Sequence, residues 1–122
     1  MLVLARELDQ SIMIGDDIEI TVKEITANVS ARLQILSSGR AIELPITAPA
    51  EIIVTEDHNK RELTLPLENS IWIGKEIQIL IDNIRNGKVR LAINAPRDTS
   101  VHRKEIWLAI QKEKEEQPPS TL

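Results

Sequence analysis

Part of this sequence occurs twice, and that repeat limits the possible folds more than any other feature. Residues 8–20 align without a gap with residues 67–79 at an offset of 59, and they share five apolar positions, one serine and one glycine. A second pair of similar segments comes next in the same order, residues 46–49 and 93–96. Two repeated blocks in one order indicate an internal duplication, so the fold has to accommodate two related units.

The two copies differ in length and in their C-terminal continuation. Gly15 and Ala48 are 33 positions apart, whereas Gly74 and Ala95 are 21 apart, so the first copy carries 12 extra residues. We place this insertion within residues 26–42 and expect an extra strand or a longer hairpin there. We therefore predict a first repeat over residues 1–58, with the insertion and without a helix. A polar linker over 59–62, a second repeat over 63–116 and a disordered tail over 117–122 complete the predicted organisation.

Most of the chain has the pattern of short strands. Apolar and polar residues alternate with the period of two that is typical of a half-buried β-strand. This alternation occurs at residues 18–23, 32–36, 41–44, 76–79 and 88–93. The dipeptide Asn86-Gly87 lies between two such runs and favours a tight hairpin turn. The predicted fold class is mostly β, with antiparallel strands.

Residues 104–116 depart from this pattern. Ile106 and Ile110 lie four positions apart among Glu, Lys and Gln residues, which predicts a helix of about three turns. A single C-terminal helix on a β domain either caps a sheet or docks a partner, and we expect capping.

The composition excludes several kinds of site. The chain has no Cys and two His, which argues against a disulfide scaffold and a structural metal site. We therefore expect no metal and no cofactor. We also expect no enzyme activity, because the sequence has no nucleophile triad order and no phosphate-binding glycine loop. No apolar run approaches the ~20 residues of a membrane span, and the first residues lack the layout of a signal peptide, so we expect a cytoplasmic protein.

Charge is distributed unequally along the chain. Residues 1–58 hold 4 Lys/Arg and 10 Asp/Glu, a net charge of −6, whereas residues 59–122 hold 11 and 9, a net charge of +2. The total of −4 argues against a general nucleic-acid coat. Any binding of anions should therefore draw mainly on the second half.

The second copy contains a specific series of segments. Leu-Thr-Leu at 63–65 and Ser-Ile-Trp-Ile-Gly at 70–74 precede the predicted hairpin, and Val-Arg-Leu-Ala-Ile-Asn-Ala-Pro at 89–96 and Ser-Val-His-Arg-Lys-Glu-Ile at 100–106 come after it. This series resembles the carbon storage regulator (CsrA/RsmA) family, and residues 1–6 resemble that family's N-terminus. The resemblance covers nearly the whole chain, strongly in the second copy and weakly between residues 26 and 60.

The resemblance implies a fold and a function. Members of the family are intertwined homodimers of five-stranded chains with a C-terminal helix, and they bind messenger RNA leaders at GGA motifs. Each of their two equivalent sites combines the first strand of one protomer with the last strand of the other. Two copies in one chain should then form an intertwined, monomeric pseudo-dimer. The implied partners are a messenger RNA leader or a small regulatory RNA with GGA motifs, and the implied activity is translational repression.

The resemblance also implies one complete RNA site and one degenerate site. The complete site would join Arg6 of the first copy to Arg103 of the second. Its expected RNA-binding residues are Leu4, Ala5, Arg6, Ala95, Pro96, Arg97, Val101, His102 and Arg103. In the degenerate site Leu65 takes the position of Arg6, and alignment from residues 48–49 places Glu56 at the position of Arg103. A carboxylate there would repel phosphate.

Two other interpretations stay open. The chain could be a protein-interaction module of the same fold that has lost RNA binding and engages a flagellar assembly factor of the FliW type or another family member. The acidic first half and Glu7 favour this interpretation. An unrelated structural β domain is the third. Trp72 and Trp107 are most simply core or interface residues under all three.

Overall fold

A computed structural model describes residues 1–49, 51–54 and 59–116. In these ranges the chain forms eleven strands, one 3-10 helix and one α-helix. The strands are β1 (Leu2–Glu7), β2 (Ser11–Ile14), β3 (Ile18–Thr26), β4 (Ser30–Ser37), β5 (Ile46–Thr47), β6 (Ile53–Val54), β7 (Lys60–Pro66), β8 (Ser70–Ile73), β9 (Ile77–Arg85), β10 (Lys88–Asn94) and β11 (Val101–Arg103). The 3-10 helix covers Gly39–Glu43 and α1 covers Lys104–Glu116.

The strands form two antiparallel sheets, and each sheet contains strands of both copies. Sheet one has the order β1-β10-β9-β8-β5, and sheet two has the order β11-β2-β3-β4-β7-β6. In each sheet one copy supplies the three central strands, and the other copy supplies the strand directly beside them on each side. The predicted fold class is confirmed, and the sheets have the exchanged strands of an intertwined pseudo-dimer.

The central strands of the two sheets are close structural equivalents. β3 and β4 pair with a register shift between Val22 and Glu24, and β9 and β10 pair with a shift at the corresponding place, between Arg90 and Leu91. The second hairpin turns at Asn86 and Gly87, which have φ angles of 54° and 73°, as the Asn-Gly dipeptide predicts. Residue-by-residue equivalence between the sheets therefore rests on strand pairing as well as on sequence.

This equivalence corrects the predicted insertion. The β3–β4 turn has only one residue more than the β9–β10 turn. Counted between equivalent positions, the connection from β4 to β5 is three residues longer than that from β10 to β11. No extra strand lies within the predicted insertion, residues 26–42, and residues 41–44, which the alternation predicted to be a strand, lie mostly in the 3-10 helix. The first copy gains 4 residues rather than 12.

The same pairing corrects the alignment of residues 46–49 with residues 93–96. Ile46 pairs with Ile73, as Val101 pairs with Ile14 in the other sheet. Because Ile14 and Ile73 are equivalent at the offset of 59, Ile46 is equivalent to Val101 and not to Ile93. Ala48 then takes the position of Arg103. The match of Ile-x-Ala-Pro in the two copies is a coincidence of sequence.

The predicted linker is also wrong. Lys60, Arg61 and Glu62 belong to β7, where they pair with residues 34–36 of β4, so the second copy's first strand begins three residues earlier than predicted. The predicted tail, residues 117–122, lies outside the described residues, and so does Glu56.

A continuous aliphatic core lies between the sheets. Its fully buried side chains come from both copies and include Ile12, Ile20, Leu33, Leu65, Ile79 and Leu91. α1 lies at one end of the molecule and contacts β11 and β2. Among the described residues no helix is long and apolar enough to cross a membrane.

Candidate nucleic-acid interface

β1 leaves one of its edges open. It stands at the end of sheet one, and among the described residues it pairs only with β10, from Leu2 opposite Ile93 to Glu7 opposite Lys88. An edge strand has unpaired backbone groups along one side. In β1 the Ala5 carbonyl accepts from Arg6 Nε, and the Glu7 N–H and C=O bond Gln10. The outer groups nearer the start of β1 are therefore the ones available to a ligand. Leu2, Val3, Ala5 and Glu7 are exposed along this edge.

A cleft of about 320 Å³ lies beside the start of β1. Both copies line it: Met1, Leu2, Ile93, Ala95, Pro96, Arg97, Thr99 and Val101. Four predicted site residues, Ala95, Pro96, Arg97 and Val101, are therefore brought together with the N-terminus of the first copy. Sequence reasoning missed Met1, Leu2 and Thr99. The alternation of side chains along β1 is a signal only for Leu2, and it does not specify which face of the strand meets the loop; Met1 and Thr99 lie outside the strands.

Arg6 is placed differently from the prediction. Its side chain is buried, with the residue 5% exposed, and its guanidinium forms a bidentate pair with Glu105, with Nη1 to Oε1 at 2.7 Å and Nη2 to Oε2 at 3.0 Å. Nη1 also donates to the Ser11 carbonyl at 3.0 Å. These donors are occupied within the protein. Arg6 ties β1 of the first copy to α1 of the second, and it does not offer its terminal nitrogens to a ligand.

Glu105 is stabilised as a carboxylate by this arrangement. The hydrogen bond from Arg6 is the largest cause that lowers its pKa, to about 2, and the charge of Arg103 contributes a smaller part. Arg103 itself is exposed on β11, opposite Ile12 of β2, and no described residue forms an ion pair with it. Arg6 and Arg103 therefore both interact with the Glu105 carboxylate. Arg6 is buried, whereas Arg103 is exposed to solvent.

The remaining predicted residues have different surroundings. Leu4 packs against the core, and His102 is half-buried opposite Met13. Ala5 is exposed and lines a shallow depression of about 260 Å³ on the outer face of sheet one. The other residues of that depression are Asn83, Arg85, Asn86, Lys88 and Arg90.

This depression is basic, and its equivalent in sheet two is not. Arg85 and Lys88 are exposed without an ion pair in the described part of the chain, and Arg90 pairs with Asp82 at 2.7 Å. At the positions equivalent to Arg85 and Lys88, sheet two has Thr26 and Ser30. At the position equivalent to Arg90 it has Arg32, which is bound by Glu24 and by Glu62. The basic depression next to β1 therefore has no basic counterpart at the equivalent positions of sheet two.

The site related to this one by the internal repeat is closed. Leu65 pairs with Ala31 as Arg6 pairs with Val89, so Leu65 does occupy the position of Arg6, and it is fully buried. The position of Arg103 is held by Ala48. Glu56, the residue that the sequence alignment places there, lies outside the described residues.

Arg61 fills the place that corresponds to the cleft. It is equivalent to Leu2, is 8% exposed, and donates to the Leu44 carbonyl at 2.7 Å and to Ser37 Oγ at 3.3 Å. Leu44 and Ser37 are the equivalents of Thr99 and Ala95, which line the open cleft. Burial lowers the pKa of Arg61, and its Nε has no hydrogen-bond partner among the described residues. A buried cation thus occupies the second cleft, and no carboxylate of the described residues pairs with it.

β6 covers the corresponding strand edge. Ile53 pairs with Glu62 and Val54 with Arg61, on the side of β7 that is equivalent to the open side of β1. No sequence pattern indicates this strand, because two exposed residues have no periodicity. The counterpart of the open cleft is therefore filled, and the counterpart of the open edge is covered at Arg61 and Glu62.

Within the described ranges, no group of three His, Cys, Asp or Glu side chains could hold a metal ion. No solved structure resembles this chain closely enough to be matched. A 44-residue segment, 36% of the chain, is 54% identical to the "Translational regulator CsrA" of Alkaliphilus metalliredigens (strain QYMF). The segment spans 59% of that relative's length.

The comparison with protein families covers much more of the chain. The model of the CsrA family, described as "Global regulator protein family", matches twice, over residues 1–56 and 63–112. The two matches agree with the two sets of equivalent strands. The chain therefore belongs to the CsrA family and contains two family units in one polypeptide.

Proposed function

We propose that this protein is a cytoplasmic RNA-binding regulator of translation that recognises GGA motifs in messenger RNA leaders through one composite site per chain. The open edge of β1, beside a cleft lined by both copies, is the observation on which this proposal rests. The name of the Alkaliphilus relative agrees with a role in translation. Occupation of a leader by the protein would hinder access of the ribosome and so repress translation.

The geometry suits single-stranded RNA. A loop of RNA exposes the base edges that a duplex hides, and unpaired backbone groups of an edge strand can donate to and accept from those edges. The cleft admits a base between the start of β1 and the loop of residues 95–100. Arg97 and Arg103 are exposed on that loop and on the strand after it, where a guanidinium can contact guanine O6 and N7 or a phosphate.

Arg6 has a positioning role in this proposal. Its pair with Glu105 fixes the start of α1, and therefore the end of β11, against β1. Arg103 precedes Glu105 by two residues. The Arg6–Glu105 ion pair therefore also fixes the backbone that carries the Arg103 guanidinium. The basic depression with Arg85, Lys88 and Arg90 continues the positive surface beyond Ala5 and suits the phosphates of a bound RNA.

One RNA per chain is expected because the second site is closed. Leu65 and Ala48 stand where the first site has arginines, Arg61 fills the cleft, and β6 covers the edge. Ala48 lacks the free donors of Arg103, and Leu65 cannot form the ion pair by which Arg6 positions α1. Arg61 fills the space, and β6 covers the start of the strand edge.

Calorimetric titration with a short hairpin that has GGA in its loop tests the proposal. We expect one RNA per chain and an affinity that falls as salt rises, because phosphate contacts release counterions. The matched control is the same hairpin with CCA in the loop, which should bind much more weakly. Equal binding of the two hairpins would contradict GGA recognition, and two equal sites would contradict the single-site arrangement.

A second function is favoured by the acidic residue next to Arg6. Glu7 is exposed at the end of the open β1 edge, where a carboxylate repels phosphate. If the titration detects no RNA at low salt, a protein-interaction module becomes the better proposal. Its partner would be a flagellar assembly factor of the FliW type or another CsrA protein, and a binding assay with purified candidates would test it.

A further inference from the structure

β11 runs directly into α1 at the point where the chain presents Arg103. Arg103 is the last residue of β11, and Lys104 is the first residue of α1. In the described chain β11 pairs with β2 alone, through three residue pairs that end with Arg103 opposite Ile12. A strand this short gives its last residue few backbone contacts. The direction of the Arg103 side chain therefore depends also on what holds the first residues of α1.

Two ion pairs hold these first residues, and both join the second copy to the first. Glu105 is bound by Arg6 of β1. Lys104 Nζ pairs with Glu19 Oε1 at 2.8 Å, and the two side chains are 37% and 18% exposed. Glu19 belongs to β3, which is separated from β11 by β2. The Lys104 side chain therefore reaches across a whole strand to its partner.

The Glu19 carboxylate lies on the outer face of sheet two. Glu19 is opposite Met13, and the next pair along the same two strands, Ile12 and Ile20, is buried in the core. Because successive side chains of a strand point to opposite faces, Glu19 and Met13 face away from the core. Lys104 is thus held over the outer face of sheet two.

The Arg6 side chain approaches α1 from a different direction. Arg6 lies opposite Val89, a core residue, so its side chain is on the core-facing side of sheet one. Its partner Glu105 directly follows Lys104. Two successive residues at the start of α1 are therefore bound to two different sheets. This arrangement fixes the junction between strand and helix, and with it the orientation of Arg103.

The closed site has none of these groups. The equivalents of Glu19, Arg103 and Lys104 there are Gln78, Ala48 and Pro49. The carboxylate, the lysine and the exposed arginine occur together at the open site and are replaced together at the closed one. This joint occurrence associates the Glu19–Lys104 pair with the arginine site rather than with the fold that both halves share.

We propose that Glu19 is a positioning residue for RNA binding. By holding Lys104 it fixes the end of β11, and so the direction in which Arg103 meets the RNA. This role rests on the function proposed above. A carboxylate near an RNA site otherwise weakens binding, because it repels phosphate. Charge and positioning therefore predict opposite effects when the carboxylate is removed.

Replacement of Glu19 by glutamine separates these two effects. We expect Glu19→Gln to weaken binding of the GGA hairpin about threefold in calorimetry, the size expected for loss of one surface ion pair, although the variant has one negative charge less. Asp17→Asn is the matched control: Asp17 is exposed in the β2–β3 turn and has no ion pair among the described residues. It should not weaken binding. Unchanged or tighter binding by Glu19→Gln would overturn the proposal.

The Arg103→Ala background tests whether Glu19 acts through Arg103. In that background Glu19→Gln should cause no further loss of affinity, because residues that act as one unit have non-additive effects. A second loss of about threefold would overturn the proposal, since Glu19 would then affect RNA binding by another route.

Hydrogen exchange of the protein without RNA tests the positioning by itself. We expect the backbone amides of residues 101–104 to exchange about threefold faster in Glu19→Gln, with unchanged rates in β9 and β10. Unchanged exchange at residues 101–104, or faster exchange throughout both sheets, overturns the positioning role. Failure of the proposed function is seen separately, as absence of hairpin binding by the unsubstituted protein.

Discussion

Three arginines of this chain show how placement decides the role of a side chain. Arg6 is buried against a carboxylate, Arg61 is buried against neutral oxygens, and Arg103 is exposed without an ion pair in the described chain. Guanidinium groups bind RNA only where their donors are free. The sequence offers no means to distinguish these three states, because burial depends on strands that are distant in the chain.

Replacement of Arg103 and of Arg6 should therefore have different effects. We expect Arg103→Ala to weaken binding of the GGA hairpin by about 1–3 kcal/mol, the range for a good arginine contact, with little change in stability. Arg6→Ala should instead lower the free energy of unfolding by about 2 kcal/mol, since it removes charged hydrogen bonds. Urea unfolding and calorimetry measure the two quantities. Arg40→Ala, an exposed arginine of the 3-10 helix, is the control, and an Arg103→Ala variant that binds normally would contradict the site.

Glu105 should make stability depend on acid pH. Its pKa is lowered from 4.5 to about 2 in the folded protein, so its contribution is fully present above pH 4.5 and is lost as pH falls toward 2. We expect Glu105→Gln to flatten the pH dependence of urea unfolding in this window. Glu113→Gln, on the exposed part of the same helix, serves as the control. An unchanged slope in Glu105→Gln would show that the pair with Arg6 does not stabilise the fold.

At the scale of secondary-structure elements, the cleft depends on the exchange of strands between the two copies more than on the sequence repeat itself. β1 and β11 lie at the ends of different sheets, yet both border the cleft. On the opposite side, β6 and Arg61 close the equivalent surface. A closed edge also protects the sheet from pairing with other chains, since unpaired edges promote aggregation.

Disruption of β6 should not be enough to open a second RNA site. Pro at both Ile53 and Val54 removes the backbone donors of this two-residue strand. We expect a small loss of stability and still one hairpin per chain, because Arg61 continues to fill the second cleft. Calorimetric stoichiometry checks this, and a value of two would identify β6 as the sole obstacle.

The sequence predicts the elements that depend on neighbouring residues, and it does not predict those that depend on pairing with a distant strand. The alternation of β3, β9 and β10, the Asn86-Gly87 turn and the helical spacing of α1 are local patterns, so sequence alone predicts them. The equivalence of Ile46 with Val101 depends on pairing with Ile73, and the strand over Lys60–Pro66 depends on β4 and β6. A short similarity such as residues 46–49 and 93–96 misleads because it contains no information about the partner strand.

The whole molecule resembles a dimer whose two protomers have been joined. Each sheet needs strands of both copies, so neither copy has a complete sheet of its own. Joining also frees the two copies to differ, and here the first copy has kept the open edge and the second copy has kept the helix. The second copy's first strand, β7, is instead covered by β6 at Arg61 and Glu62, and Trp72 of β8 is exposed.

We expect the protein to be a monomer that unfolds in one step. Light scattering at micromolar concentration should give the mass of one chain, 13.8 kDa. Calorimetric and van't Hoff enthalpies of unfolding should agree, because the two copies share both sheets. A mass of about two chains would indicate exchange of copies between polypeptides, and two separate transitions would show that the copies fold independently.

The pairing of Leu2 with Ile93 also sets the order of events when the protein is made. β1 leaves the ribosome before β10 and can find its place only after β10 has emerged, so sheet one cannot be completed progressively during synthesis. Contacts so distant in sequence slow folding, since a long loop must close before the pairing stabilises it. Until then β1, the strand proposed to receive RNA, is in the nascent chain without its neighbour.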